Sequence, residues 1–118
     1  MSQKRVIADQ KGREGEDEAA AWLEQQGWEI LAKRVKTKLG EIDLIARQEG
    51  LVAFIEVKWR RRAADLATAI DERRLARVAA AVEVVCHEYT EPGEDMRIDV
   101  ILLAPGSFPR HIANAWMP

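Results

Sequence analysis

No part of the chain constrains the fold more than the stretch from Leu51 to Lys58, LVAFIEVK. Drawn as an extended segment it points Val52, Phe54, Glu56 and Lys58 to one side, and Leu51, Ala53, Ile55, Val57 and Trp59 to the other. Both sides are apolar over most of the length. Such a strand needs cover on each face, which calls for a central strand in a sheet flanked by helices and argues against an exposed edge. The surrounding pattern supplies both. Glu41 to Ala46 predicts a strand joined to the first by a turn at Gln48 to Gly50, Trp28 to Val35 predicts an edge strand, and Arg97 to Leu103 resumes an extended, β-branched pattern. Gly12 to Gln26 is helical, with Glu16, Ala19, Ala20 and Leu23 on one side and Gly27 as the stop. Leu66 to Tyr89 carries Leu75, Val78, Val82 and Val85 at helical spacing. Pro92 and Gly93 mark a loop, and Pro105, Gly106 and Pro109 break the chain again before a short terminal element at His111 to Trp116. The expected class is α/β, a compact layered domain.

At 118 residues the chain is sized for one domain spanning residues 1–118, with residues 1–10, which show little periodicity, expected to be a flexible arm. Cys86 is the sole cysteine, so an intrachain disulfide and a thiolate metal cluster are both excluded, and its apolar surroundings assign it to the core. The polar N-terminus lacks the apolar segment of a secretion signal, and no apolar run approaches membrane-spanning length. A cytoplasmic protein with no membrane partner is therefore expected. The formal net charge of -2 gives the whole molecule no strong pull toward a polyanion, so a nucleic-acid surface would have to come from local segregation of charge. Segregation is present. Lys33, Arg34, Lys36 and Lys38 form one basic group, Lys58, Arg60, Arg61 and Arg62 a second, and Arg73, Arg74 and Arg77 a third, although a charged solvated face is also ordinary.

The sharpest local feature is Glu56-Val57-Lys58 at the end of the apolar strand, with Asp43 in the strand before it. Residues two apart on a strand share a face, so Glu56 and Lys58 can address one point, and a hairpin would bring Asp43 to the same end of the sheet. Two carboxylates without cysteine suit Mg²⁺ or Mn²⁺, hard ions that keep several waters, with the Val57 backbone carbonyl as an additional candidate ligand. Such an ion would neutralise charge on a phosphate and activate a water, while Lys58 would orient that water or stabilise the transition state. Glu16 is a fourth candidate: on the apolar side of its helix it either pairs locally or reaches the metal site. The plainer alternative for Asp43, Glu56 and Lys58 is an inter-strand salt-bridge network.

The segments Gly40-Glu41-Ile42-Asp43-Leu44-Ile45 and Phe54-Ile55-Glu56-Val57-Lys58-Trp59-Arg60 closely resemble the YraN-like family, also called UPF0102, of the restriction-endonuclease-like and Holliday-junction-resolvase-like group. Gly12 to Asp17, Ala19, Ala20 and Leu23, Arg97 to Val100 and His111 to Ala115 extend the resemblance over most of the chain. It implies a restriction-endonuclease-like core with a central mixed β-sheet and a PD-(D/E)xK-type site, in which Asp43 matches the first-motif carboxylate, Glu56 and Lys58 the second-motif pair, and Glu16 the N-terminal helix acid. Three departures touch substrate positioning more than metal coordination. Arg34-Val35-Lys36 replaces an Asn-x-Arg-like element, Arg73 or Arg74 stands for a helix lysine, and Ala63 to Ala67 replaces a Phe-Gly element.

The leading expectation is a metal-dependent endonuclease acting on structured or branched DNA, with Arg34, Lys36, Arg60, Arg61, Arg62, Arg73, Arg74 and Arg77 holding backbone phosphates. A non-catalytic nucleic-acid-binding protein is the first alternative. A protein-interaction module anchored on Trp22, Trp28, Trp59 or Trp116 is the second, and a homo-oligomer formed through an apolar strand or helix is compatible with each.

Overall fold

The computed structural model describes the backbone of residues 3–116 and the side chains of residues 10–116. Its elements run α1 (Gln3–Gln25), β1 (Glu29–Lys36), β2 (Glu41–Gln48), β3 (Leu51–Trp59), a 3-10 turn (Ala63–Thr68), α2 (Glu72–Tyr89), β4 (Asp95–Leu103) and β5 (Arg110–Ile112). The five strands lie in sequence order in one sheet. Only β3 and β4 are parallel; the other neighbours are antiparallel. The parallel pair requires a crossover, and α2 provides it. The result is an α/β fold with a central mixed sheet flanked by helices, consistent with a restriction-endonuclease-like core.

The two-faced reading of β3 holds in detail. Val52 and Phe54 pack with Leu75, Val78 and Val82 of α2 on one side of the sheet. Ala53 and Ile55 pack with Ala19, Ala20 and Leu23 of α1 on the other. Phe54 and Ile55 are wholly buried, and each such side chain contributes roughly 1.5–3 kcal/mol of apolar burial. Cys86 is half-buried against the α2-side core.

Two helix boundaries differ from the sequence pattern. The backbone of α1 is helical from Gln3, where periodicity placed the start at Gly12 and an arm before it; residues 1 and 2 of that arm lie outside the described residues. A helix need not show an apolar period along its whole length, because Gln, Lys, Arg and Ala favour helix by backbone propensity alone. The segment Leu66 to Tyr89 is likewise not one helix. Asp71 is extended (φ -126°) and its carboxylate accepts the Arg73 N–H at 2.9 Å, so it caps α2 and separates it from the 3-10 turn. The stop at Gly27 is as read: Trp28 N–H donates to Leu23 O and Gly27 N–H to Glu24 O, a paired C-terminal cap.

Candidate functional site

The site forms where β2 and β3 part. Their ladder runs from Gln48↔Leu51 to Leu44↔Ile55. At the next position the Asp43 carboxylate takes over the role of the backbone, its Oδ2 accepting the Val57 N–H at 2.8 Å. Side-chain alternation also slips there: Leu44 and Ala46 pack on the α1 side, whereas Ile42 and Ile45 pack on the α2 side. On β1, Lys33 pairs with Leu44 and Val35 with Ile42, which puts Arg34 opposite Asp43. Arg34 has φ 53°, a left-handed conformation that costs a non-glycine residue about 1–2 kcal/mol. The slot between the strands thus opens to both faces of the sheet.

Glu56 approaches from the α2 side. Its side chain is 2% exposed, and Oε1 lies 2.9 Å from both Lys58 Nζ and Arg74 Nε. Arg74 can reach it because α2 lies directly on the start of β2. A Cβ on Gly40 would stand 2.6 Å from the Arg77 carbonyl oxygen, so this contact requires glycine. Glu16 approaches from α1, where its carboxylate pairs with Arg34 Nε. Arg34 also donates to the Arg13 carbonyl at 3.3 Å and to Asp17 at 3.5 Å.

Electrostatically the three acids are unequal. Burial pushes Asp43 up, the Glu56 carboxylate pushes it further, and Glu16 adds to both, so that despite the Val57 N–H it stands at about 8. Burial also raises Glu16, against the opposing pull of Arg34. Among the described residues Asp43 is the acid of the three that forms no ion pair, set between two others. An open cleft of about 250 Å³ lies over it, lined by Gly12, Arg13, Glu16, Arg34, Lys36, Glu41, Asp43 and Arg74. A smaller one of about 130 Å³ adjoins Gly40, Glu41, Arg74, Arg77 and Val78.

The structure therefore gathers Asp43, Glu56, Lys58, Glu16, Arg34, Lys36 and Arg74 around one place. The other basic residues are dispersed. Arg77 lines the adjoining cleft, Arg61 and Arg62 are exposed in the loop after β3, and Arg62 pairs with Asp65 at 3.3 Å. Arg60 is half-buried and donates to the Trp59 carbonyl, while Arg73 is exposed with its backbone N–H on the α2 cap. The basic patterns alone did not single out Arg13; it lines the cleft one turn before Glu16 on α1. Among the described residues, no group of three or more His, Cys, Asp or Glu side chains converges as a ready metal cage, because Glu16 and Glu56 are drawn to their arginine and lysine partners. The tryptophans are not fully exposed anchors: Trp28 is buried in the α1-side core, Trp22 and Trp59 are half-buried against it, and Trp116 is half-buried against the other.

A second acidic centre lies on β4. Asp99 is fully buried and receives Arg97 Nε at 2.8 Å, Arg97 Nη2 at 2.9 Å and the Asn114 N–H at 2.9 Å, with His111 Nε2 at 2.7 Å. Burial would raise it, yet the bonds from His111, Arg97 and Asn114 together hold it below the ordinary carboxylate range. The same His111 ring stands edge-on to Trp22 at 6.1 Å and tilted against Trp28 at 5.9 Å.

The model of the uncharacterised protein family UPF0102 matches residues 15–103, a span that includes Glu16, Asp43, Glu56, Lys58 and Asp99. Proteins with that family name are similar along nearly the full chain. One from Erythrobacter litoralis (strain HTCC2594) is 66% identical over 98% of this chain and 99% of its own. One from Sphingopyxis alaskensis is 52% identical over 97% and 98%, and one from Rhodopseudomonas palustris (strain ATCC BAA-98 / CGA009) is 43% identical over 95% and 87%.

Proposed function

This chain belongs to the uncharacterised protein family UPF0102, and from that premise we propose that it is a divalent-metal-dependent endonuclease acting on structured or branched DNA. The observation that carries the reading is Asp43, a buried carboxylate raised to about 8 between two further acids, at a cleft with arginines on its rim. A buried carboxyl whose charged form is disfavoured this strongly is of the kind concentrated at functional sites, and a bound cation would restore that form.

The donor chemistry fits Mg²⁺ or Mn²⁺, which take carboxylate and carbonyl oxygens and retain water. Asp43 and Glu56 would hold the ion, with Glu16 behind them. The Val57 carbonyl leaves the strand on the same side as the N–H that meets Asp43, which makes it a candidate ligand. Once bound, the ion would neutralise charge developing on the phosphate and acidify the attacking water. Lys58 supplies the second positive charge, already 2.9 Å from Glu56 and preorganised on a strand. Arg13, Arg34, Lys36 and Arg74 line the cleft and would screen phosphates from the acids beneath.

A non-catalytic DNA-binding role is the second reading, and the two cations already on Glu56 favour it: they neutralise this acid without any metal. Calorimetric titration with Mg²⁺ or Mn²⁺, paired with cleavage assays on branched, nicked and single-stranded DNA, separates the two. The endonuclease reading expects binding and cleavage in the parent and loss of both in Asp43→Asn and Glu56→Gln. Unchanged metal affinity in both variants would remove the ligand pair, and tight DNA binding without cleavage would favour the second reading.

A further inference from the structure

The chain has two phenylalanines with opposite fates: Phe54 is wholly buried, and Phe108 is 95% exposed. A lone exposed apolar side chain is ordinary on a protein surface. Phe108 differs in how it is held and in what surrounds it. It lies in the link between β4 and β5, where Ser107 N–H donates to Ala104 O across Pro105-Gly106, and Gly106 has φ 75°. Proline followed by glycine with positive φ is the chemistry of a type II turn. Pro109 then restricts Phe108 itself to extended backbone. Both ends of the link are anchored. Leu103 pairs with Trp59, and its carbonyl accepts the Arg60 N–H at 2.9 Å. Beyond the link, β5 pairs with β4, and His111 and the Asn114 N–H are tied to the buried Asp99. The ring is therefore presented to solvent by a stiff, short loop.

Its neighbours are basic. The Arg60–Leu103 bond makes the segments after β3 and β4 leave the sheet side by side, which brings Arg60, Arg61 and Arg62 to the end of the sheet that carries Phe108. The register also places Lys58 opposite Leu102 and Leu102 opposite Arg110. Residues in one cross-strand row share a face, so Arg110 emerges on the same face as Lys58, two strand spacings or roughly 10 Å away. Arg110 is exposed and two residues from Phe108.

We infer that Phe108 is a stacking residue that inserts against an unpaired or unstacked base of the DNA, while Arg110 and the Arg60 to Arg62 run hold the adjoining phosphates. The inference rests on the nucleic-acid reading above and narrows its substrate to DNA with an interrupted base stack. An aromatic ring against an unstacked base gains affinity that a continuous duplex cannot offer without the cost of unstacking. Phosphate contacts supply attraction to either form.

The test measures binding, without turnover, of the full chain to a four-way DNA junction carrying 2-aminopurine at the branch point and to a continuous duplex of the same length, with Ca²⁺ in place of Mg²⁺. The parent is expected to prefer the junction and to change the 2-aminopurine fluorescence. Phe108→Ala should weaken junction binding by roughly tenfold, the order expected for one lost base stack, with duplex affinity unchanged. Phe108→Trp should restore junction binding and show its own fluorescence quenched by the junction. Equal weakening on both DNAs, no weakening on either, or no DNA binding by the parent would overturn the inference. So would a concentration-dependent oligomer that Phe108→Ala dissociates without effect on DNA, since the ring would then serve contact between copies. Cleavage is scored separately: junction binding that depends on Phe108 in a chain that cuts nothing would uphold the stacking role and remove the endonuclease reading.

Discussion

Asp43 and Asp99 are both buried aspartates, on the two strands that flank β3, and their electrostatics run in opposite directions. Asp99 has an arginine, a histidine and a backbone N–H, and stands below the ordinary carboxylate range. Asp43 has one backbone N–H and two neighbouring acids, and stands at about 8. Burial raises both, so it does not distinguish them. Hydrogen-bond partners decide the difference, and they separate a carboxylate that joins parts of the fold from one left with binding capacity.

The comparison predicts its largest effect on stability at Asp99. Asp99→Ala leaves the half-buried Arg97 without its carboxylate and removes the acceptor of His111 and the Asn114 N–H, and should cost about 3 kcal/mol in urea unfolding. Asp43→Asn should cost nothing at neutral pH and is expected to stabilise, because the folded parent must take up a proton on this carboxyl and an amide need not. A large loss at Asp43 and none at Asp99 would reverse the assignment.

The next effect is kinetic. Lys58→Met keeps the aliphatic stem and should slow single-turnover DNA cleavage by about 10²-fold at saturating substrate, with affinity largely retained. A loss confined to affinity and its salt dependence would make Lys58 a phosphate contact only.

The pH dependence sharpens the pair further. Between the ordinary 3.8 and about 8 the folded chain holds a proton on Asp43 that the unfolded chain releases, so stability falls as pH rises through that window. Relative to Asp43→Asn, the parent should lose at most about 1.4 kcal/mol per pH unit there, measured by unfolding in the presence of chelator. Asp99 has the opposite sign: its contribution is complete above its unfolded value and is lost as pH falls through the lower folded one. A flat difference between parent and Asp43→Asn from pH 4 to 8 would contradict the raised carboxyl.

The smallest effect belongs to the exposed rim. Arg61→Ala should shift stability by no more than about 0.5 kcal/mol, and should weaken DNA binding a few-fold at low salt with a shallower salt dependence, read from a salt titration. A stability loss comparable to that of Asp99→Ala would make this arginine structural.

Much of this arrangement was legible before any coordinates. The period-two pattern of β3 separated its two cores correctly, because side chains alternate along a strand whose register is unbroken, as that of β3 with β4 is. The helical side holding Glu16, Ala19, Ala20 and Leu23 was equally clear, and Gly27 ended that helix as read. The start of α1 and the break at Asp71 were not, since residues before Gly12 carry no clear apolar period and apolar periodicity cannot see a cap inside a long apolar spacing. The resemblance pointed to Asp43, Glu56, Lys58 and Glu16, but it carried no information about which acid would be neutralised.

By itself the sequence determined a two-faced central strand, the helices needed to cover it and the presence of paired acids near its end, all of which follow from local alternation and composition. Only the tertiary structure decided that β2 and β3 part at Asp43, that Arg34 takes a left-handed turn opposite it, that Glu56 meets Arg74 from a helix 18 residues away, and that Asp99 is tied off by His111 and Asn114. The physical reason is that a buried charge is governed by whichever groups surround it in space, and those groups come from elements far apart in the chain.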